Sequence, residues 1–258
     1  MNITHLGNGI VQFDNAIKST QQDVDKYLEN LLLSTNHEGY SNLGNENLKN
    51  SGGYNHNLEQ AKIAPHRYLN VNHLGIEKKD FQTLSDLEDS GTNCVSKYLE
   101  IFPSAAGAVK WRTRGHVIRY LPGQMIGPHS DANLPYADDG LTPISLAPIA
   151  NTLTCSIFLN DKYTGGNLSF RPWGITVFPK FGSIVVYPSN FSGCHEITPI
   201  ETGERFAYLS WFCHGVLDIS PPAEHKRQEL QNFSYHLDFI TSHSANSVQQ
   251  FVPVGPIK

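Results

Sequence analysis

From Trp111 onward the chain breaks into short runs rich in Val, Ile, Tyr and Phe, separated by turns that carry Gly or Pro. The runs are Gly115 to Leu121, Thr152 to Leu159, Asn167 to Phe170, Ile175 to Phe178, Ser183 to Tyr187 and Arg205 to Phe212. Many short strands with this punctuation predict an all-β sandwich or barrel. Residues 132 to 150 interrupt the strands with Asp138-Asp139-Gly140 and three prolines, and are expected to form a loop.

The segment before Trp111 has a different texture. Ile10 to Phe13 reads as a short strand ending at an Asp14-Asn15 turn. Thr20 and Asp23 have capping-box spacing. Val24, Tyr27, Leu28, Leu31 and Leu32 follow on one helical stripe,. Residues 34 to 65 are rich in Asn, Gly, Ser and His without a sustained period, which predicts a long loop and a possible lid,. Asp80 to Phe102 predicts helix in one or two pieces, with Val95, Tyr98, Leu99 and Phe102 as its apolar face and Pro103 as its stop,. A further helix is expected from Ala223 to about Phe239, followed by an irregular tail. A chain of 258 residues with these parts is expected to be one domain,. Residues 1–110 would support a β core at 111–220, and 221–258 would supply the last helix and tail.

A formal net charge of −5 argues against a broad nucleic-acid or acidic-membrane footprint,. The four cysteines contain no CxxC pair, so neither a zinc ribbon nor a disulfide scaffold is expected, and a reducing compartment fits,. The N-terminus shows no basic region followed by an apolar run, and no stretch approaches ~18 uninterrupted apolar residues. A cytoplasmic location and no membrane contact are the expectations.

His129-Ser130-Asp131 is the pair that carries chemistry. Strand alternation would put His129 and Asp131 on one face, offering a metal two ligands of a 2-His-1-carboxylate set. In a chain with 12 histidines an isolated HxD is weak. It gains weight from Cys194-His195-Glu196, Arg205 and Trp211 downstream. Period 2 from Arg205 places Ala207, Leu209 and Trp211 on its face. The Thr202-Gly203 turn signal predicts His195 and Arg205 on neighbouring strands. Thr152, Thr154, Ser156 and Phe158 share a polar face that is expected to look into a pocket.

These pieces, in order, resemble the prolyl 4-hydroxylase-like branch of the Fe(II)/2-oxoglutarate-dependent dioxygenases. The matching residues are Tyr120-Leu121-Pro122-Gly123, Pro128 to Asp131, Thr154, Phe158 to Asp161, Gly165-Gly166, Phe170 and Pro179 to Tyr187. His195 to Pro199, Gly203, Arg205 and Trp211 complete the set, over roughly residues 111 to 213, with a familiar opening at Val11 to Asn15. The resemblance implies a double-stranded β-helix, a jelly-roll of two facing antiparallel sheets with flanking helices. It implies His129, Asp131 and His195 as catalytic ligands of Fe(II). Arg205 would bind the far carboxylate of 2-oxoglutarate and Tyr120 would help hold that co-substrate. Phe158 departs from the family, which often has a tyrosine there; Thr154 is the candidate substitute. Trp211 is a further candidate for the co-substrate wall, against the alternative that it packs in the core. O2 is the second co-substrate and ascorbate an optional addition.

The chemistry suits the residues. Three protein ligands leave room for 2-oxoglutarate, bound through two atoms, and for O2. A guanidinium stays charged and grips a carboxylate through two parallel hydrogen bonds. The implied activity is hydroxylation of an aliphatic C–H, with release of succinate and CO2. A prolyl residue in a peptide or protein is the first substrate expectation, and a free amino acid or other small molecule the second. Competing readings are a cupin-type metalloenzyme that does not use 2-oxoglutarate, disfavoured by Arg205, and a non-catalytic binding module, disfavoured by the full ligand set. No nucleic-acid partner is expected, and the oligomeric state is open.

Overall fold

The structure is a computed structural model that describes residues 1–34, 67–69, 78–109, 111–112, 116–132 and 150–214. The expected loops at 34–65 and 132–150, apart from their end residues, lie outside those residues, as do the expected helix at 223–239 and the tail.

Two antiparallel sheets face each other. The larger has eight strands in the order β1 (Asn2–Gly7), β2 (Ile10–Asp14), β11 (Ile184–Pro188), β7 (Ala150–Phe158), β14 (Arg205–His214), β5 (His116–Tyr120) and β3 (Arg67–Leu69). The eighth strand, β4 (Trp111–Arg112), also pairs with β14. The smaller sheet runs β10 (Ile175–Val177), β9 (Leu168–Phe170), β12 (His195–Ile197) and β6 (Ile126–His129). A two-stranded ribbon of β8 (Thr164–Gly165) and β13 (Ile200–Thr202) leads into β14. This is a double-stranded β-helix, and all six expected runs are strands within it.

Period-2 alternation sorts the side chains into two cores. On β14, Phe206, Tyr208 and Phe212 face outward, as do Ile184 and Val186 on β11. They pack under helices α1 (Gln21–Ser34) and α2 (Lys78–Ile101) through Val24, Tyr27, Leu28, Leu87, Val95 and Leu99. Between the sheets lie Ile118, Tyr120, Ile126, Phe158, Leu168, Phe170, Val185, Tyr187 and Ile197. The molecule is therefore three layers: helices, large sheet, small sheet.

The helices start and sit where local chemistry directs. Thr20 N–H donates to Asp23 Oδ2 at 2.9 Å and Asp23 N–H donates to Thr20 Oγ1 at 3.2 Å, a reciprocal box that opens α1,. The second helix is one piece of 24 residues despite Gly91 in its middle. A Cβ on Gly91 would sit 3.3 Å from Cys155 Sγ of β7, so the missing side chain lets α2 lie close on the sheet,. Asp86 of α2 accepts from Lys18 N–H at 3.0 Å, Ser19 N–H at 2.6 Å and Ser90 Oγ at 3.2 Å. One carboxylate thus ties the approach to α1 onto α2.

Replacing that carboxylate leaves two inward-facing backbone donors unserved. Asp86→Ala is expected to lower unfolding stability by roughly 2–4 kcal/mol, read from urea melts followed by circular dichroism.

Candidate active site

His129 and His195 are directly opposite one another on the β6–β12 ladder. Their rings stand 4.3 Å apart between centroids. Each imidazole is held by the carbonyl two residues before it, His129 Nδ1 to Gly127 O at 2.8 Å and His195 Nδ1 to Gly193 O at 2.9 Å. With Nδ1–H donating, both Nε2 atoms are turned toward the Asp131 carboxylate,. Gly193 is required for this arrangement: a Cβ there would run into the carbonyl oxygen of Pro188.

Asp131 completes the cluster. It lies two residues beyond the end of β6, so simple strand alternation does not aim it; the bend at Ser130-Asp131 does. Its Oδ1 is 3.5 Å from His129 Nε2 and its Oδ2 is 3.9 Å from His195 Nε2. One atom from each of the three residues lies within 4.8 Å of the others, so the group could hold a metal ion. Behind it, Thr154 Oγ1 donates to Asp131 Oδ2 at 2.7 Å and contacts Ser189 Oγ at 2.9 Å. Asn151 Nδ2 donates to the Asp131 carbonyl at 2.7 Å.

The protonation states suit metal binding. Burial would raise the Asp131 carboxyl, but the charges of His195 and His129 and the hydrogen bonds of His129 and Thr154 outweigh it and hold the group well below the usual carboxylate range. Burial, then the neighbouring His129, pushes His195 down to about 4 against the pull of Asp131. Burial also works to lower His129. Its hydrogen bond to Asp131, the Asp131 charge and the Gly127 carbonyl overcome that and leave it above the usual histidine value. At neutral pH, Asp131 is charged and His195 neutral, the forms that ligate.

The cavity beside the cluster encloses about 410 Å3 counting its open mouth. Across it from His195 lies Arg205. The two are on facing sheets, not on neighbouring strands as the Thr202-Gly203 turn suggested, because the β13 ribbon carries the chain from one sheet to the other. Arg205 is 2% exposed. Its guanidinium lies over the rings of Tyr120 at 5.3 Å and Phe158 at 5.5 Å. Tyr120 is its cross-strand partner on β5. The Arg205 Nε has no hydrogen-bond partner among the described residues. Nearby Glu204 is engaged elsewhere, in a two-pronged pair with Arg119 at 2.9 and 2.7 Å. The side-chain amide of Asn160 spans the backbone around Arg205, donating to Glu204 O at 2.7 Å and accepting from Phe206 N–H at 2.9 Å.

Most of the expected residues converge. His129, Asp131, His195, Arg205, Tyr120, Ser156, Ala207 and Leu209 all wall the cavity. Thr154 stands behind Asp131 instead of on the cavity wall, and Thr152 turns its hydroxyl to Ala108 O at 2.7 Å. Trp211 is not among the walling residues. Tyr187 went unnoticed in the sequence. It is buried, walls the cavity and places its hydroxyl 3.2 Å from His195 Nε2. The signal was available, since period 2 along Ile184 to Tyr187 puts Val185 and Tyr187 on the inner face.

The donor set of two imidazoles and a carboxylate fits Fe(II), and the buried guanidinium, with no carboxylate partner among the described residues, fits the far end of a dicarboxylate,. Two measurements follow. Calorimetry of Mn(II) or Co(II) binding in buffers of different ionisation enthalpy is expected to report release of about one proton per metal near pH 6, because only His129 must be deprotonated there. Affinity should rise with pH until His129 is neutral. Thr154→Val is expected to weaken metal binding about tenfold with the fold retained, by releasing the second oxygen of Asp131.

Comparison with known proteins agrees with this geometry. The sequence model of the 2OG-Fe(II) oxygenase superfamily matches residues 115–213. A PKHD-type hydroxylase of Shewanella sp. strain MR-4 is 28% identical over 141 residues, 53% of this chain and 57% of the relative. Another, from Hyphomonas neptunium, is 32% identical over 81 residues, 30% of this chain and 35% of that one. The chain thus matches little more than half the length of the longest-matching of these relatives. In fold it is similar to the viral collagen prolyl hydroxylase of Paramecium Bursaria Chlorella virus-1, with a TM-score of 0.50, 14% identity and coverage of 81% of this chain and 97% of that one. It is likewise similar to a Trichoplax adhaerens prolyl hydroxylase in complex with a hypoxia inducible factor peptide fragment, with a TM-score of 0.51, 18% identity and coverage of 86% and 87%. Over residues 115–213 the chain is thus similar in sequence to the 2OG-Fe(II) oxygenase superfamily, and the donor set at its cavity lies within that stretch.

Proposed function

We propose that this protein is an Fe(II)- and 2-oxoglutarate-dependent dioxygenase that hydroxylates a prolyl residue in a peptide or protein. The carrying observation is the convergence of His129, Asp131 and His195 within 4.8 Å, facing a buried guanidinium that has no carboxylate partner among the described residues. His129, Asp131 and His195 would hold Fe(II), and Arg205 would take the far carboxylate of 2-oxoglutarate. Bound Fe(II) supplies O2 activation coupled to the oxidation of 2-oxoglutarate to succinate and CO2.

The chain's own residues do the rest. The Nδ1–H groups, donated to Gly127 and Gly193, fix both imidazoles in the ligating tautomer. Thr154 occupies one Asp131 oxygen, which favours single-oxygen ligation. Ile118, Ile126, Leu168 and Ile197 line the cavity and limit water beside the reacting atoms,. Tyr120 and Phe158 form an aromatic floor for Arg205, so its charge is turned toward the cavity,.

Support for a prolyl substrate comes from the surface beside His195. Trp173 is 40% exposed and Phe191 81% exposed. Trp173 Nε1 donates to Ser192 O at 2.6 Å, which holds the two aromatics at the turn that leads into His195. Exposed aromatic faces of this kind suit the rigid ring of proline. The structural neighbours named as prolyl hydroxylases point the same way.

Anaerobic titration with Fe(II) and 2-oxoglutarate is expected to give the charge-transfer band of a chelated keto acid. Arg205→Ala should raise the Kd for 2-oxoglutarate about a hundredfold or more, by removing the charged partner of a buried carboxylate. Proline-containing peptides should gain one oxygen in mass with matched succinate. Turnover of free amino acids with none of the peptides would replace the prolyl assignment with a small-molecule one.

A further inference from the structure

The hydroxyl of Tyr187 meets the side chains of His195 and Thr154, and the His195 atom it meets is one the proposed metal requires. The residue is 1% exposed, sits in the inner core against Phe170 and His195, and its hydroxyl lies 3.2 Å from His195 Nε2. With His195 Nδ1–H given to Gly193 O, Nε2 is the acceptor and the phenol the donor. A metal on that lone pair displaces the phenol. A buried hydroxyl stripped of its acceptor costs roughly 1–3 kcal/mol unless another is found. Thr154, its cross-strand neighbour, is one acceptor within reach, although it already donates to Asp131 and meets Ser189. Phe170 and Leu168 are apolar, and Phe158, under Arg205, has no hydroxyl. Tyr187 also walls the cavity, so the other acceptor within reach is the molecule that fills it.

Resting on the reading above, we infer that Tyr187 is a co-substrate-binding residue whose hydroxyl moves from His195 to an oxygen of the keto-acid end of 2-oxoglutarate once metal is bound. The two ends of the co-substrate are then held by different residues. Arg205 takes the far carboxylate from the large sheet's β14, and Tyr187 takes the metal-side end from β11. The same phenol links the two loading steps. While the metal site is free it blocks His195 Nε2, and after metal loading it becomes a donor for the keto acid. Metal should therefore bind slightly more tightly without the hydroxyl, and 2-oxoglutarate more weakly.

The test is Tyr187→Phe in the full chain, which keeps the ring and removes only the hydroxyl. Mn(II) affinity, measured by calorimetry, should be equal to or tighter than that of the unsubstituted protein, which also shows that the variant is folded. The Kd for 2-oxoglutarate in the anaerobic Fe(II) form should rise about tenfold or more, as for a lost hydrogen bond to a charged group. The charge-transfer maximum should shift, because a donor to the chelating end has gone. If the unsubstituted protein binds 2-oxoglutarate and the variant binds it within twofold with an unmoved band, Tyr187 does not touch the co-substrate. Loss of Mn(II) affinity in the variant would overturn the inference in favour of a purely structural role. Failure of the unsubstituted protein to bind 2-oxoglutarate at all would remove the underlying functional reading together with this one.

Discussion

Two imidazoles share one rung of an antiparallel ladder, and the working end of the molecule is built outward from that rung. Because His195 and His129 are cross-strand partners, their rings are close neighbours on one face of the small sheet,. A slip of one residue would turn one of them to the other face. Two residues of β6, Gly127 and Pro128, oppose one of β12, Glu196, between this rung and the Ile126–Ile197 pair, so a bulge sits beside the site,. Ile126 and Ile197 are both in the inner core, and their burial holds the register. The site geometry is thus maintained by apolar packing two and three residues away. The carbonyls of Gly127 and Gly193 add the ring orientation, and the bend after β6 adds the carboxylate.

The opposite wall of the cavity poses the reverse problem, a positive charge kept from water with no carboxylate partner among the described residues. Two aromatic faces offset part of its desolvation,. The nearest acid along the chain, Glu204, is drawn off by Arg119 and leaves the guanidinium for a ligand. A cluster with one negative charge and a pair of neutral or singly protonated imidazoles therefore faces, across the cavity, a cation with no carboxylate partner among the described residues. A small dianion that can chelate a metal satisfies both ends at once.

Strand positions were legible because β14 and β11 alternate strictly between helix-facing and cavity-facing side chains, and period 2 is visible in one dimension. Helices α1 and α2 were legible from their 3.6-residue apolar stripes, with Thr20 and Asp23 marking the start of α1,. Asp131 was found by its spacing from His129, yet its aim comes from a bend that the alternation rule does not describe. The turn signal between His195 and Arg205 says that the chain reverses, not which sheet it reverses into. Face alone turns the Thr154 hydroxyl to the cavity and cannot show that Asp131 reaches it first. Tyr187 was passed over because an aromatic in a buried strand usually only packs, and its difference lies in a distance to a residue eight positions away. β1 (Asn2–Gly7) was not anticipated either, being polar and exposed along most of its length.

Asn160 bridges the peptide groups on both sides of Arg205 just past the end of β7, beside the Leu159 N–H that donates to Phe206 O. Its carboxamide extends the pairing on that edge. The guanidinium therefore hangs from a main chain held on both edges, by Asn160 and by its β5 partner Tyr120, although it is the first residue of its strand. An anion arriving there meets a receptor that is already ordered, so little of the attraction is spent on immobilising the host. Selectivity for length follows: a shorter or longer dicarboxylic acid meets a fixed anchor and cannot draw it nearer or push it away.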